Sequence, residues 1–209
     1  MRYLDETVWG SITPRWLGAY ECELHDVIFG FADGAYSHII DVGCAEGYYA
    51  VGLLLKFPEA RLLAFDLDGI SRRQCEKLAA LNGVSERISV GCLCDHQTLQ
   101  ERCQPGSLVV CDIEGAEMEL LDPDKVSALR NADILVEVHD TDEPAIENAL
   151  KRRFEPSHEI QAIYASDRMD WIAQHGKYVE VLGQSSALES VDESRGSPQS
   201  WLWMKAIEC

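Results

Sequence analysis

The chain has 209 residues, 46% of them hydrophobic and 26% charged, a balance that suits one folded domain and excludes the disordered and fibrous classes. Asp and Glu number 36 against 18 Lys and Arg, a formal net charge of -18, whose field repels DNA, RNA and anionic membranes and disfavours a nucleic-acid partner. Apolar runs such as Val51 to Leu55 are too short to span a bilayer and the first residues carry no signal-peptide core, so a cytoplasmic protein with no membrane partner is expected.

Thr13-Pro14 predicts a helix start, and Trp16, Leu17, Tyr20, Leu24, Val27, Ile28 and Phe31 keep helical spacing as far as Asp33-Gly34. This segment, residues 1–34, is expected to stand outside the main domain, residues 35–209, either as a cover over a substrate or as a contact in a homo-oligomer. His38 to Val42 then reads as a buried strand, followed by a glycine-containing turn and a helix from Tyr48 to Phe57 that Pro58 closes. The same unit recurs with a strand from Arg61 to Asp66, a helix from Ser71 to Leu81 stopped by Asn82-Gly83, and a strand from Arg87 to Cys94. Ser107 to Asp112 and Asp133 to His139 are further buried strands, separated by a helical stretch with Leu120, Leu121, Val126 and Leu129 that Pro123 interrupts. A helix from Pro144 to Phe154, a strand from His158 to Tyr164, a helix near Asp170 to Leu182, a polar loop from Gln184 to Gln199 and a strand from Trp201 to Ile207 complete the chain. Alternation of this kind predicts a parallel α/β sheet.

Eight cysteines occur without paired-thiol spacing, and Cys44, Cys92, Cys94 and Cys111 sit in apolar runs while Cys75 follows a helical pattern. Buried, reduced thiols are expected rather than disulfides, zinc ligands or nucleophiles.

Ligands of open α/β sheets bind beyond the carboxyl ends of the strands, so residues directly after strands carry the functional argument. The first such turn is Asp41-Val-Gly43-Cys44-Ala45-Glu46-Gly47, where glycines permit a tight turn and bring backbone amides to a ligand at a helix start. Asp66 ends the second strand, where a ribose-binding carboxylate belongs. Gly43, Ala45 and Gly47 are evenly spaced, unlike the glycines of a dinucleotide loop, which points to a nucleoside cofactor without pyrophosphate.

With Ala64-Phe-Asp66-Leu67-Asp68, Cys94-Asp95 and Val110-Cys-Asp112 added, about half of the chain resembles the class I S-adenosylmethionine-dependent methyltransferases. That resemblance implies a doubly wound, Rossmann-like sheet, mostly parallel with a C-terminal antiparallel strand and helices on both faces. It also implies S-adenosylmethionine as cofactor, with its methionine end on Asp41, Gly43, Cys44, Ala45, Glu46 and Gly47, its ribose on Asp66, and its adenine beside Leu67, Cys94 and Asp95, while Asp112 lies near the methyl. The runs Asp112-Ile-Glu114-Gly115-Ala116-Glu117 and Val136-Glu137-Val138-His139, with Glu193-Ser-Arg195 and Trp201-Leu202 as support, resemble the FkbM-like branch, which implies O-methylation of a small molecule such as a sugar, a polyketide or another secondary metabolite.

A sulfonium methyl is already activated, so the protein must chiefly align an acceptor with it, and a hydroxyl acceptor also needs help in losing its proton. Asp112, Glu114, Glu137 and His139 are the candidates for that role, with His139 as the proton acceptor and Asp112 or Glu137 orienting its ring; the bland alternative has His139 bonded to backbone while Asp112 and Glu114 cap the following helix. A divalent cation such as Mg²⁺ held by Asp112, Glu137 and either His139 or Asp140 is a third option. Tyr36, Trp171, Tyr178 and Trp201 are candidates for an acceptor pocket, though most aromatics pack cores. Other readings of the whole chain are a non-catalytic S-adenosylmethionine-binding subunit or sensor, and an RNA or protein methyltransferase, which the acidic balance disfavours. The turn Asp112-Ile-Glu-Gly lacks the Pro-Pro-aromatic pattern expected of N-methyltransferases that act on nucleobases or glutamine.

Overall fold

The computed structural model describes residues 1–8, 10–140, 145–193 and 199–207. The strands are β1 (His38–Val42), β2 (Arg61–Phe65), β3 (Ile88–Gly91), β4 (Leu108–Cys111), β5 (Asp133–Val138), β6 (His158–Tyr164) and β7 (Ser200–Ala206), each followed or preceded by helix as the alternation predicts. They form one sheet in the order β3-β2-β1-β4-β5-β7-β6. The pairs from β3 to β5 are parallel, with Ile40 opposite Leu63 on one side and Val109 on the other, while β7 runs antiparallel to both neighbours.

The central strand β4 is apolar without interruption because both faces are covered: all of Leu108 to Cys111 is buried. Side chains of the central strands alternate between two cores. Ile39, Val110 and Leu135 pack with Leu53 and Leu54 of α3 (Tyr48–Lys56) and Leu78 of α4 (Gly69–Leu81). Ile40, Val42, Val109 and Val136 pack on the opposite face with Leu99 of α5 (His96–Arg102), Leu120 of α6 (Glu117–Leu120), and Leu150 and Phe154 of α7 (Ala145–Phe154). Burying one such leucine contributes about 1.5–3 kcal/mol, and the two-period alternation decides which face receives it. Among the described residues no helix is long and apolar enough to cross a membrane.

The single long helix expected between Thr13 and Gly34 is instead broken into α1 (Thr13–Leu17), a short 3₁₀ turn at Cys22–Leu24 and α2 (His25–Gly30). Left-handed backbone at Gly18 and Glu21 makes the breaks. At Glu21 that conformation is supported by tertiary partners, since its amide donates to Glu193 Oε1 at 3.0 Å and its carboxylate accepts from the Tyr49 hydroxyl. The expected helix near Asp170–Leu182 is split into α8 (Arg168–Gln174) and α9 (Lys177–Leu182), and the start of the expected polar loop is a third helix, α10 (Gln184–Val191). Residues 194–198 of that loop, with Arg195, lie outside the described residues.

Because β6 parallels β5 and β7 returns beside it, the helices between β6 and β7 sit at the same end of the sheet as the carboxyl ends of β1 to β5. There Ala19 and Leu17 of the N-terminal segment pack with Trp171, Ile172, Ala187 and Val191 in a separate small core. Arg168 ties this core down through Glu23 Oε2 at 2.8 Å and Glu193 Oε1 at 2.6 Å. Leu17 to Cys22 are therefore joined to the end of the sheet from which functional loops emerge, while Leu24, Val27, Ile28 and Phe31 pack into the main core.

Candidate functional site

The strand order reverses between β1 and β4, and the turn after β1 fills the crevice between them. Gly43 has φ +84, and a Cβ built on it would lie 1.6 Å from the carbonyl oxygen of Asp112, so only glycine fits where the β1 turn meets the end of β4. The amides of Gly43 and Cys44 both donate to the Phe65 carbonyl, at 2.8 and 3.0 Å. The Ala45 amide, on left-handed backbone, donates to Asp66 Oδ2 at 2.9 Å, and Asp66 Oδ1 accepts the Asp68 amide at 2.8 Å. One carboxylate at the end of β2 thus fixes two loops.

Beside this turn is a cavity of about 790 Å³, within the range of small-molecule sites. Its apolar wall is Val42, Phe65, Leu67, Leu93, Ile113 and Leu120, and its polar wall carries the carboxylates of Asp66, Asp68, Asp95, Asp112, Glu114 and Glu119, with no lysine or arginine among the lining residues. Such a cavity attracts a cation and repels phosphate. β3 ends at Gly91, earlier than the expected Cys94, and the Phe65 ring occupies the space a side chain at Gly91 would need, 2.8 Å from its ideal Cβ. Residues 92–95 therefore leave the sheet and build the cavity wall before Asp95 caps α5 by accepting the Thr98 amide at 2.8 Å.

A second polar cluster adjoins the cavity at the ends of β4 and β5. His139 Nδ1 lies 2.7 Å from Glu117 Oε1, while Nε2 faces Asp112 Oδ1 and Glu114 Oε2, each at 3.5 Å, and Glu137 Oε2 at 3.7 Å. Burial pushes the Asp112 carboxyl up to about 6, Glu114 adding to the rise while His139 and a hydrogen bond with Glu137 oppose it. For His139 burial disfavours the charged ring, but the Glu117 hydrogen bond and the charges of Asp112, Glu117 and Glu114 outweigh it and hold the pKa above the ordinary imidazole value. The expected orienting partner was Asp112 or Glu137; the short contact is to Glu117, which is fully buried. Asp140, the other expected cation ligand, turns away and accepts the amides of Ile146 and Glu147 at the start of α7, at 2.7 and 3.1 Å. Among the described residues that leaves Asp112, Glu114 and His139 as a group able to converge on one ion, with Glu114 in place of the expected Glu137.

No protein-family model matches the sequence, and no curated protein matches it. Solved structures do share its architecture. The O-methyltransferase TomG from Streptomyces achromogenes, involved in tomaymycin synthesis and solved with S-adenosylmethionine, superposes with a TM-score of 0.54 at 13% identity, over 93% of this chain and 86% of TomG. The METTL16 methyltransferase domain gives 0.56 at 14% identity over 91% of this chain and 68% of that one, and the human methyltransferase 10 domain containing protein gives 0.54 at 13% over 97% and 86%. The fold is the Rossmann-like methyltransferase fold. Its mostly parallel sheet, with the one reversed strand β7, agrees with the architecture expected from the sequence.

On that methyltransferase fold, Gly43, Ala45, Asp66, Leu67, Asp68, Cys92, Cys94, Asp95, Asp112 and Glu114 line the cavity, as do His96 and Glu119, which no sequence motif pointed to. Asp41, Cys44, Glu46 and Gly47 do not line it. Glu46 points to the far side of the turn, where it accepts from Tyr3 Oη and Thr7 Oγ1 at 2.8 Å and pairs with Arg15 Nε at 2.9 Å. Gly47 packs against Cys75, whose sulfur would lie 2.8 Å from an added Cβ, and Cys44 is buried against the same thiol, which raises its pKa. These residues shape the turn from behind.

Asp41 lies under the turn at 2% exposure; burial lifts its pKa to about 8, with Asp112 and Asp66 adding to the rise and the Ala50 amide opposing it. Its folded state therefore keeps a proton that the unfolded chain has released, and Asp41 makes stability fall as pH rises from about 4 to about 8. We expect Asp41→Asn to flatten the decline of Tm across that window; an unaltered pH slope in thermal unfolding would contradict the raised pKa.

Tyr36, Trp171 and Trp201 are buried and do not line the cavity. Tyr36 belongs to the opposite end of the sheet, donating to Asp133 Oδ2 at 2.5 Å, Trp171 stacks on His175, and Trp201 packs edge-on to Tyr49. The Tyr178 side chain lies outside the described residues. The described cysteines are all free, and Cys44, Cys75, Cys94, Cys103 and Cys111 are buried as expected, whereas Cys92 is exposed on the cavity wall. Burial pushes the Cys111 thiol far up, which agrees with a packing role.

Proposed function

We propose that the protein is an S-adenosylmethionine-dependent methyltransferase that methylates an oxygen of a small molecule such as a sugar, a polyketide or another secondary metabolite, in the manner of the FkbM-like branch. The observation that carries this reading is the cavity at the β1/β4 reversal, rich in carboxylates, free of lysine and arginine, and walled by apolar side chains. A sulfonium nucleoside is cationic and has a flat apolar base, so it suits these walls; NAD and ATP bring phosphates that they repel. In this assignment the Gly43 to Gly47 turn receives the methionine end, Asp66 the ribose hydroxyls, and Leu67, Cys94 and Asp95 the adenine.

The acceptor oxygen approaches from the β4–β5 side, where Asp112, Glu137 and His139 are the polar groups able to assist loss of its proton. Alignment of oxygen, methyl carbon and sulfur supplies most of the acceleration, because the methyl is already activated. Segment 1–34 and the helices between β6 and β7 form the acceptor-side cover, a role supported by their shared core at that end of the sheet. The acidic surface and cavity favour a small acceptor over RNA.

Asp66→Ala removes the charged ribose acceptor and frees the Ala45 and Asp68 amides that it binds. We expect it to weaken S-adenosylhomocysteine binding by about 1.5–3 kcal/mol. Full retention of affinity in calorimetry would remove Asp66 from the ribose site. Transfer of labelled methyl groups to a panel of hydroxylated metabolites, with RNA and protein in parallel, tests the acceptor class; labelling of RNA or protein alone would overturn it.

A further inference from the structure

We infer that Asp112, Glu114 and His139 form a three-ligand site for a first-row divalent cation of the zinc, iron or manganese kind, backed by Glu117 and open toward the cavity. Their ligand atoms lie within 4.8 Å of one another. The 3.5 Å separations of His139 Nε2 from Asp112 Oδ1 and from Glu114 Oε2 match the edges of one coordination polyhedron, since bonds of about 2.0–2.2 Å at tetrahedral angles put ligand atoms about 3.3–3.6 Å apart.

Two further observations separate this cluster from an ordinary acidic surface. His139 Nε2 and Asp112 Oδ1 are both buried atoms without a hydrogen-bond partner among the described residues, and they face each other across the gap. With the ring protonated the two atoms attract each other across 3.5 Å, a separation too long for a good hydrogen bond, and a cation between them would satisfy both. In addition, the other ring nitrogen is held at 2.7 Å by the fully buried Glu117, the carboxylate–histidine arrangement that fixes a ring so that its far nitrogen can bind a metal. Glu114 reaches the gap from left-handed backbone at φ +54, followed by Gly115 at φ +105, and its side chain is 84% exposed, so it closes the site from the cavity side.

The donor set sets the class of ion. One imidazole with two carboxylates favours zinc, iron or manganese over magnesium, which prefers oxygen alone and keeps its waters. Glu137, hydrogen-bonded to Asp112, holds that carboxylate in place from inside the protein. This inference rests on the methyltransferase reading for its role: a bound cation supplies a positive charge that holds an acceptor oxygen and favours its deprotonated form. His139 then acts on the acceptor as a ligand rather than by taking the proton itself.

The test is Mn²⁺ titration of the chelator-treated full chain, read by the electron paramagnetic resonance of free Mn²⁺, with Zn²⁺ and Mg²⁺ as competitors. We expect one saturable site that Zn²⁺ empties readily and Mg²⁺ poorly. Glu114→Gln is expected to weaken it about tenfold or more, and His139→Gln at least as much, whereas Glu86→Gln, an exposed acidic residue of this strongly negative chain outside the cluster, leaves it unchanged. Glu114 is exposed enough that its variant should fold even if a His139 variant does not. Absence of a saturable site, or equal binding by wild type and Glu114→Gln, overturns the inference. S-adenosylhomocysteine binding by the same sample reports the methyltransferase reading separately: nucleoside binding without Mn²⁺ binding removes the cation alone, and the reverse removes the cofactor assignment alone.

Discussion

Replacing His139 with alanine is expected to lower methyl transfer by about 10² to 10⁴ while leaving affinity for S-adenosylhomocysteine nearly unchanged. The reason lies in placement: His139 does not line the cavity assigned to the cofactor, but it joins Asp112, Glu114 and Glu137 at the ends of β4 and β5. The ring has a second effect on the fold, since its removal takes one of the partners of the buried Glu117 carboxylate, leaving the Gly115 amide, at a cost of about 1–3 kcal/mol. His139→Gln retains a donor for Glu117 and separates the two effects. Turnover with the wild-type kcat in either folded variant would remove His139 from the acceptor side.

The second large effect is expected at Gly43. An alanine there would place its Cβ 1.6 Å from the Asp112 carbonyl oxygen on backbone at φ +84, and that oxygen belongs to the main chain, which cannot step aside like a flexible side chain. Strain and overpacking together amount to about 2–6 kcal/mol. Gly43→Ala should therefore abolish nucleoside binding in calorimetry and lower Tm, because relief requires the β1 turn to part from β4. Gly52→Ala in α3, where an added Cβ meets nothing within 4 Å, is the matched control and should be neutral or slightly stabilising. Nucleoside binding by Gly43→Ala at wild-type strength would show that the turn is not the cofactor site.

What could be read from the sequence follows from which physical signals are local. Strands β1, β4 and β5 are largely buried and so appear as mostly apolar runs, interrupted only by acids such as Asp41 and Glu137, and Gly43 and Asp66 directly follow β1 and β2 in the chain. The broken N-terminal helix was only partly legible: Gly18 is a local left-handed cap bonded to Arg15, but the left-handed turn at Glu21 has a partner far away in sequence, Glu193. The partner of His139 was missed for a similar reason: Glu117 lies in an acidic run that reads as a helix cap. One clue was present, since Glu117 shares helical phase with Leu120 and Leu121, both buried. Glu46 misled in the opposite sense. Its place in the glycine turn suggested ligand contact, but Tyr3, Thr7 and Arg15 draw it to the other side.

The most direct test of the account is calorimetric titration of the full chain with S-adenosylhomocysteine, with NAD and ATP as controls. A cavity lined by Asp66, Asp68, Asp95, Asp112, Glu114 and Glu119 without lysine or arginine predicts micromolar binding of the nucleoside and none of either phosphate-bearing cofactor. No binding of S-adenosylhomocysteine, or tighter binding of NAD or ATP, would contradict it.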